Sequence, residues 1–253
     1  MKKFGKFIRQ KIKFKEKKYD GSFASLIHCT GIPIFKKEKL RYELHGSGFI
    51  IHQKEKSKLV TARHVFEGKG TEFYVSHKEE FIPIEGDAHF PYFSYDVEGK
   101  ISGQFKPDFC IITLTKLFMK KNADNIIGFD ESFIYQHRSF GAGIFIIAGF
   151  LTSKTEFIVN SKFLYVRAFS HELTPILTET GKIMFALPWK TEEGDLQPEL
   201  NGLSGAPIFY IPTHENRLYI IGIGKEYEVN RSKGIIDISI EPFIIDYLHC
   251  DGV

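Results

Sequence analysis

The stretch NGLSGAP, residues 201–207, sets Ser204 between glycines in an otherwise apolar run. Glycine takes positive φ at no steric cost, so the stretch reads either as a tight turn or as a bend presenting a nucleophilic hydroxyl. A serine hydroxyl attacks only where a base removes its proton, and two other stretches offer the partners. LVTARHVF, residues 59–66, puts His64 directly after a strand-like run, and PDFCIITL, residues 107–114, puts Asp108 at the head of another. Each has a plain reading when alone: a structural hydrogen-bonding histidine and a strand-end aspartate. Together, in the chain order His, Asp, Ser, they match one of the orders in which base, orienting acid and nucleophile are assembled. A neutral imidazole titrating near pH ~6.5 can accept the hydroxyl proton and later return it to a leaving group.

The elements that must position these residues read as β structure almost throughout. Runs rich in Ile, Phe, Val and Tyr recur between turn-forming residues, among them SFASLIHCT, GSGFIIH, KLVTA, EFYVS, DFCIITL, IFIIAGF, KFLYVRAF, APIFYI, LYIIGIG and GIIDISI. Without long helical periods between them, they indicate barrels or sandwiches. KLFMKKNADNIIGFDES, residues 116–132, carries polar and turn residues between two strand-rich halves and marks a break. The expected fold is therefore all-β, as two similar β units. The boundaries are a basic arm over 1–21, a first barrel over 22–120 and a second over 121–253. EPFIIDYLHC reads as a C-terminal helix, with Pro242 in its first turn. Gly86 to Pro107, rich in aromatics and glycine, reads as a long loop, either functional or packed by its own side chains.

Composition excludes several classes. The 253 residues, 43% hydrophobic and 26% charged, are those of a globular protein. A net charge of +3 gives no footprint for nucleic acid. The basic run MKKFGKFIRQKIKFKEKK places Phe4, Phe7, Ile8 and Ile12 at helical spacing, which suits a membrane surface or an acidic partner protein, or a solvated arm with a few residues packed on the body. Charges interrupt it before any signal-peptide apolar region, and no later stretch is long and apolar enough to span a membrane. Cys29, Cys110 and Cys250 are too few and too scattered for a disulfide framework or a metal site, so free thiols and a cytoplasmic setting are expected. The ten histidines show no HxxxH or HExxH spacing, and neither metal nor cofactor is expected. His28, His45 and His52 read as surface or structural residues.

With GSGFII and LVTARHV leading to His64, DFCIITL following Asp108, and GLSGAPIF before IIGIG, the chain resembles the trypsin-like, chymotrypsin-fold serine peptidases. The likeness points to their disulfide-free bacterial branch, which includes relatives of the HtrA proteases. It runs from about residue 22 to the C-terminal helix and implies two antiparallel barrels of the six-stranded type with the site between them. It implies hydrolysis of peptide bonds through an acyl-enzyme on Ser204, with His64 as base and Asp108 orienting it. In such a loop the N–H groups of Gly202 and Ser204 can turn toward one point as an oxyanion hole, where losing one donor costs about 3 kcal/mol of barrier stabilisation. The resemblance also implies that Gly222, Ile223 and Gly224 run beside the substrate and pair with its backbone. The loop EEGDLQPEL, with Asp195 and Glu199, helps wall the primary pocket; its acids either select Lys or Arg or are simply solvated. Leu203 stands where secreted members carry an aspartate that pairs with a newly cut N-terminus, Arg63 replaces a small residue, Ala206 replaces a common glycine, and the cysteines flanking the histidine are missing. The alternative is a peptide-binding module that keeps the barrels without turnover.

Overall fold

A computed structural model describes residues 30–38, 41–67, 72–77, 80–91, 106–122, 128–136, 140–157, 164–177, 183–190, 196–197, 199–215, 217–243 and 248. The basic arm, His28, Cys29, Asp195 and Cys250 lie outside the described residues.

The first unit is a curled sheet of eight strands. It contains β1 (Gly31–Glu38), β2 (Arg41–Gln53), β3 (Lys56–Ala62), β4 (Phe73–His77), β5 (Glu80–Pro83), β6 (Gly86–His89), β7 (Phe109–Leu114) and β8 (Gly128–Asp130). The order is β5-β4-β1-β2-β3-β7-β6, with β8 parallel to β2. β1 pairs with β2 only as far as Phe49, and β8 takes over the same edge at Ile50–His52. Among the described residues no pairing closes this sheet between β5 and β6, where a second closed six-stranded barrel was expected. The segment from Gly86 begins not as loop but as strand β6, paired with β7. The break at 116–132 holds a helix, Lys116–Asn122, which buries Phe118 and Met119.

The second unit is a closed barrel of six antiparallel strands. These are β9 (Gly143–Phe157), β10 (Leu164–Leu177), β11 (Ile183–Pro188), β12 (Pro207–Pro212), β13 (Tyr219–Asn230) and β14 (Ile235–Pro242). β14 alternates buried and half-exposed residues through its length and pairs Glu241 with Ile223 and Pro242 with Gly222. Pro242 therefore ends a strand instead of opening a helix, at a position where its missing N–H costs the ladder nothing. Beyond Phe243 only Leu248 is described; it is buried, and its carbonyl accepts the Lys58 ammonium of β3. The end of the barrel thus reaches back to the first sheet, where the Phe243 ring lies 6.1 Å from Phe49 and 5.2 Å from Phe109.

β1 contains Pro33, a poor strand residue, and was not among the strand-like runs. It is tolerated because Pro33 lies opposite Ser47, whose N–H turns away to Ser204. The β4 partner begins only at Ile34, so no neighbour requires a Pro33 N–H.

The two units meet with little space between them. Gly205 has φ +82°, and a Cβ there would lie 2.2 Å from Thr61 Oγ1 and 2.3 Å from the Ser47 carbonyl oxygen. Gly205→Ala is expected to cost about 3 kcal/mol or more, from left-handed backbone strain plus overpacking. Urea unfolding checks this; a midpoint unchanged from wild type would show that the seam can relax.

Candidate active site

β3 and β7 are antiparallel with Ala62 opposite Phe109, so the end of one strand adjoins the start of the other. The chain leaves β3 in a four-residue helical turn, Arg63–Phe66, anchored by buried Val65 and given no side-chain cap by Ala62. Asp108 supplies the missing acceptors. Its carbonyl accepts the Arg63 N–H at 3.0 Å, and its Oδ1 accepts the His64 N–H at 3.1 Å. Its Oδ2 accepts the His64 Nδ1–H at 2.8 Å. One carboxylate therefore ends the strand, caps the turn and fixes the imidazole, with Nδ1 as donor and Nε2 left as the basic nitrogen. The plain and the functional readings of Asp108 coincide.

The hydrogen bond to Asp108 raises the His64 pKa above 6.5; partial burial opposes this, and the charges of Asp108, Glu226 and Glu67 add to the rise. With a raised folded-state pKa, the pair contributes stability that is complete below about 6.5 and is lost as pH climbs through the raised value. The imidazole side chain is 44% exposed, so solvent screening keeps that contribution small.

Ser204 lies on the loop before β12. Gly205 abuts the end of β3, where a Cβ would stand 2.7 Å from the Ala62 nitrogen. Ser204 is thereby held beside the turn that carries His64. No hydrogen bond joins Ser204 Oγ to the ring, a contact that in free enzymes is often long and tightens only with substrate.

The loop's own bonds follow a pattern. The N–H groups of Leu203, Gly205 and Ala206 donate to Leu200, Gly224 and Leu203 carbonyls at 3.1, 2.9 and 2.8 Å. Among the described residues, neither the Gly202 N–H nor the Ser204 N–H has an acceptor. In a planar trans peptide the N–H points opposite its carbonyl, so a held carbonyl aims the N–H behind it. The Asn201 carbonyl is held by the Thr152 N–H at 2.8 Å, and that of Leu203 by the Ala206 N–H. Gly202 reaches this shape with φ +99°, open to glycine at little cost.

A shallow pocket opens beside Ser204. It is lined by apolar Ile147, Leu200, Leu203 and Ile238 and also by Lys225, Glu226 and Tyr227. The Tyr227 hydroxyl donates to Asn201 Oδ1 at 2.6 Å. Of the residues expected to flank a substrate, Gly224 lines this pocket. Gly222 and Ile223 are instead paired on both sides, to β12 and to β14. The β12 partner stops at Ile223, so among the described residues the edge of β13 past Gly224 has no second strand, and a bulge between Gly224 and Glu226 interrupts its pairing with β14. The alternation in KEYEVN was the available signal for this exposed edge. Glu199 is exposed and outside the pocket, accepting from Asn201 Nδ2 at 3.3 Å.

Among the other expected residues, His52 is tied to Ser57 Oγ at 2.9 Å, and exposed His45 lies 6.1 Å from the Phe73 ring. Cys110 is a buried free cysteine whose thiol burial pushes up to about 12, as expected for core. Among the described residues no three or more His, Cys, Asp or Glu side chains group to hold a metal, and no helix is long and apolar enough to cross a membrane.

No family model and no curated protein matches the chain. Among solved structures, the crystal structure of tobacco vein mottling virus protease matches at 12% identity and TM-score 0.50, over 95% of this chain and 88% of that one. The chain shares the fold of that structure, a closed six-stranded barrel beside a curled sheet. At this identity the likeness speaks of architecture, and a viral neighbour gives no support to the HtrA-related bacterial branch.

Titration of His64 by NMR checks the electrostatic account. The midpoint is expected above 6.5 in the wild type and lower in Asp108→Asn, where the raising bond is lost and burial remains. An identical midpoint in both proteins would mean that another group sets it.

Proposed function

We propose that the protein is a serine endopeptidase. The observation that carries this reading is one juxtaposition: an imidazole fixed by Asp108, next to a serine loop with two N–H groups lacking acceptors. In the proposed reaction Ser204 Oγ adds to the peptide carbonyl as His64 Nε2 takes its proton. The carbonyl oxygen becomes an oxyanion between the Gly202 and Ser204 N–H groups. Collapse breaks the C–N bond, and His64 gives its proton to the departing amine. Water, deprotonated by the same nitrogen, then attacks the acyl-Ser204 ester; the acid product leaves and Ser204 regains its proton.

The open edge of β13 past Gly224 supports binding of the substrate as an added strand. Ile147, Leu200, Leu203 and Ile238 give the pocket an apolar part for the side chain of the cleaved residue, beside the charged Lys225 and Glu226. Cys110 as a free thiol is in keeping with a reducing, cytoplasmic setting.

A fluorophosphonate probe tests the reading. Wild-type protein should be labelled, and Ser204→Ala and His64→Ala should not be, with folding intact by circular dichroism. In peptide hydrolysis kcat/KM should rise with pH through a midpoint above 6.5, and Asp108→Asn should lower the rate on the order of 10⁴-fold. Equal labelling of wild type and Ser204→Ala would remove the serine mechanism. Peptide binding without labelling or turnover would favour the alternative, a binding module on the same fold.

A further inference from the structure

Ser47 lies on β2 in the first sheet and is fully buried. Its Oγ donates to the Gly202 carbonyl at 2.7 Å and accepts the Phe150 N–H of β9 at 3.0 Å. Its own N–H donates to the Ser204 carbonyl at 2.8 Å. Thr61 Oγ1 in turn donates to the Ser47 carbonyl at 2.7 Å. The site is built around the hydroxyl, for a Cβ on Gly149 would come within 2.8 Å of Ser47 Oγ.

These bonds hold the Gly202–Leu203 and Ser204–Gly205 peptides, each of which directly follows a peptide whose N–H is without an acceptor. Ser47 holds the carbonyls of Gly202 and Ser204, Thr152 holds that of Asn201, and Ala206 holds that of Leu203. Four successive carbonyls are thereby engaged, and the peptides that carry the Gly202 and Ser204 N–H groups cannot turn over without breaking bonds. Leu203, between them, is 3% exposed and packs into the barrel interior with Ile147 and Leu200. Its anchor is apolar packing, so the loop requires no cation brought in from elsewhere in the chain.

We propose that Ser47 is a positioning residue that locks the Gly202–Ala206 loop with its two N–H donors presented, so that the oxyanion site is complete as folded and needs no chain cleavage to assemble. The inference rests on the reading of Ser204 as the nucleophile. It adds that a hydroxyl from the first sheet shapes the donor loop of the second unit.

The test uses the uncut full-length chain, verified by intact mass, beside Ser47→Ala. Hydrogen exchange of the Leu203, Gly205 and Ala206 amides should speed at least about tenfold in Ser47→Ala, while Ile220 and Ile221 in β13 keep their wild-type rates. In peptide hydrolysis kcat should fall about 10- to 100-fold with KM within about twofold, because the oxyanion forms only in the transition state. If Ser47→Ala does not fold, Ser47→Cys, with a weaker donor and acceptor on the same atom, should shift both readouts the same way by less. Unchanged loop exchange, or a uniform speeding of all amides, would overturn the positioning role. An uncut wild type that labels only after proteolysis would overturn the ready-made site. If the uncut and cut wild types are both inert to the probe, the serine reading fails on its own and the ready-made site falls with it. The exchange rates still decide whether Ser47 holds the loop.

Discussion

The seam between β2 and the loop before β12 is the constraint on which the rest depends. His64 and Asp108 belong to the first sheet and Ser204 to the second unit, so their alignment is only as good as the registration of one unit on the other. Three features at the seam fix it: the Ser47 hydroxyl shared between Gly202 and Phe150, the Ser47 N–H on Ser204, and Gly205 with no room for a side chain. Buried hydrogen bonds of this kind contribute roughly 1 kcal/mol each, yet leaving such a group unpaired costs more, which makes the geometry hard to deform. The C-terminal crossing to β3, with Phe243 against Phe49 and Phe109, adds an apolar clamp on the same pair of units.

Within that frame the electrostatics are economical. Asp108 serves the backbone of the turn and the side chain of His64 with different oxygens, so the groups that shape the turn also set the tautomer. Removing its charge would disturb conformation and protonation together, and for that reason asparagine, which keeps the shape, is the informative replacement. The facing loop leaves the Gly202 and Ser204 N–H groups without acceptors among the described residues while the carbonyls of residues 201–204 are all bonded. Such preorganised dipoles cost no reorganisation when charge develops, which is the physical content of the proposed oxyanion site.

The strand pattern and the three motifs were legible because each is local: period-two burial, a residue after a strand, a serine between glycines. What was not legible depends on distant partners. Ser47 sits in GSGFII as an ordinary strand residue, and its meaning comes from Gly202, 155 positions away. β1, with Pro33 in it, was not among the strand-like runs, and only the pairing shows that no neighbouring strand requires an N–H at that position. Gly222 and Ile223 resembled a substrate-flanking edge, but the length of β12 decides where that edge opens, and it opens past Gly224. Pro242 carried a helix-start signal that strand pairing overrode. The open edge of the first sheet followed from which strands pair, which local periodicity does not encode.

In the proposed oxyanion site the Gly202 and Ser204 N–H groups face the point where charge would develop on a carbonyl attacked by Ser204. A crystal structure of the protein after reaction with a phosphonate tests this arrangement. Phosphorus is expected on Ser204 Oγ, with one phosphonyl oxygen about 2.7–3.1 Å from both nitrogens. An adduct on another side chain, or a phosphonyl oxygen directed to solvent with the Asn201–Gly202 peptide turned over, would rule the site out.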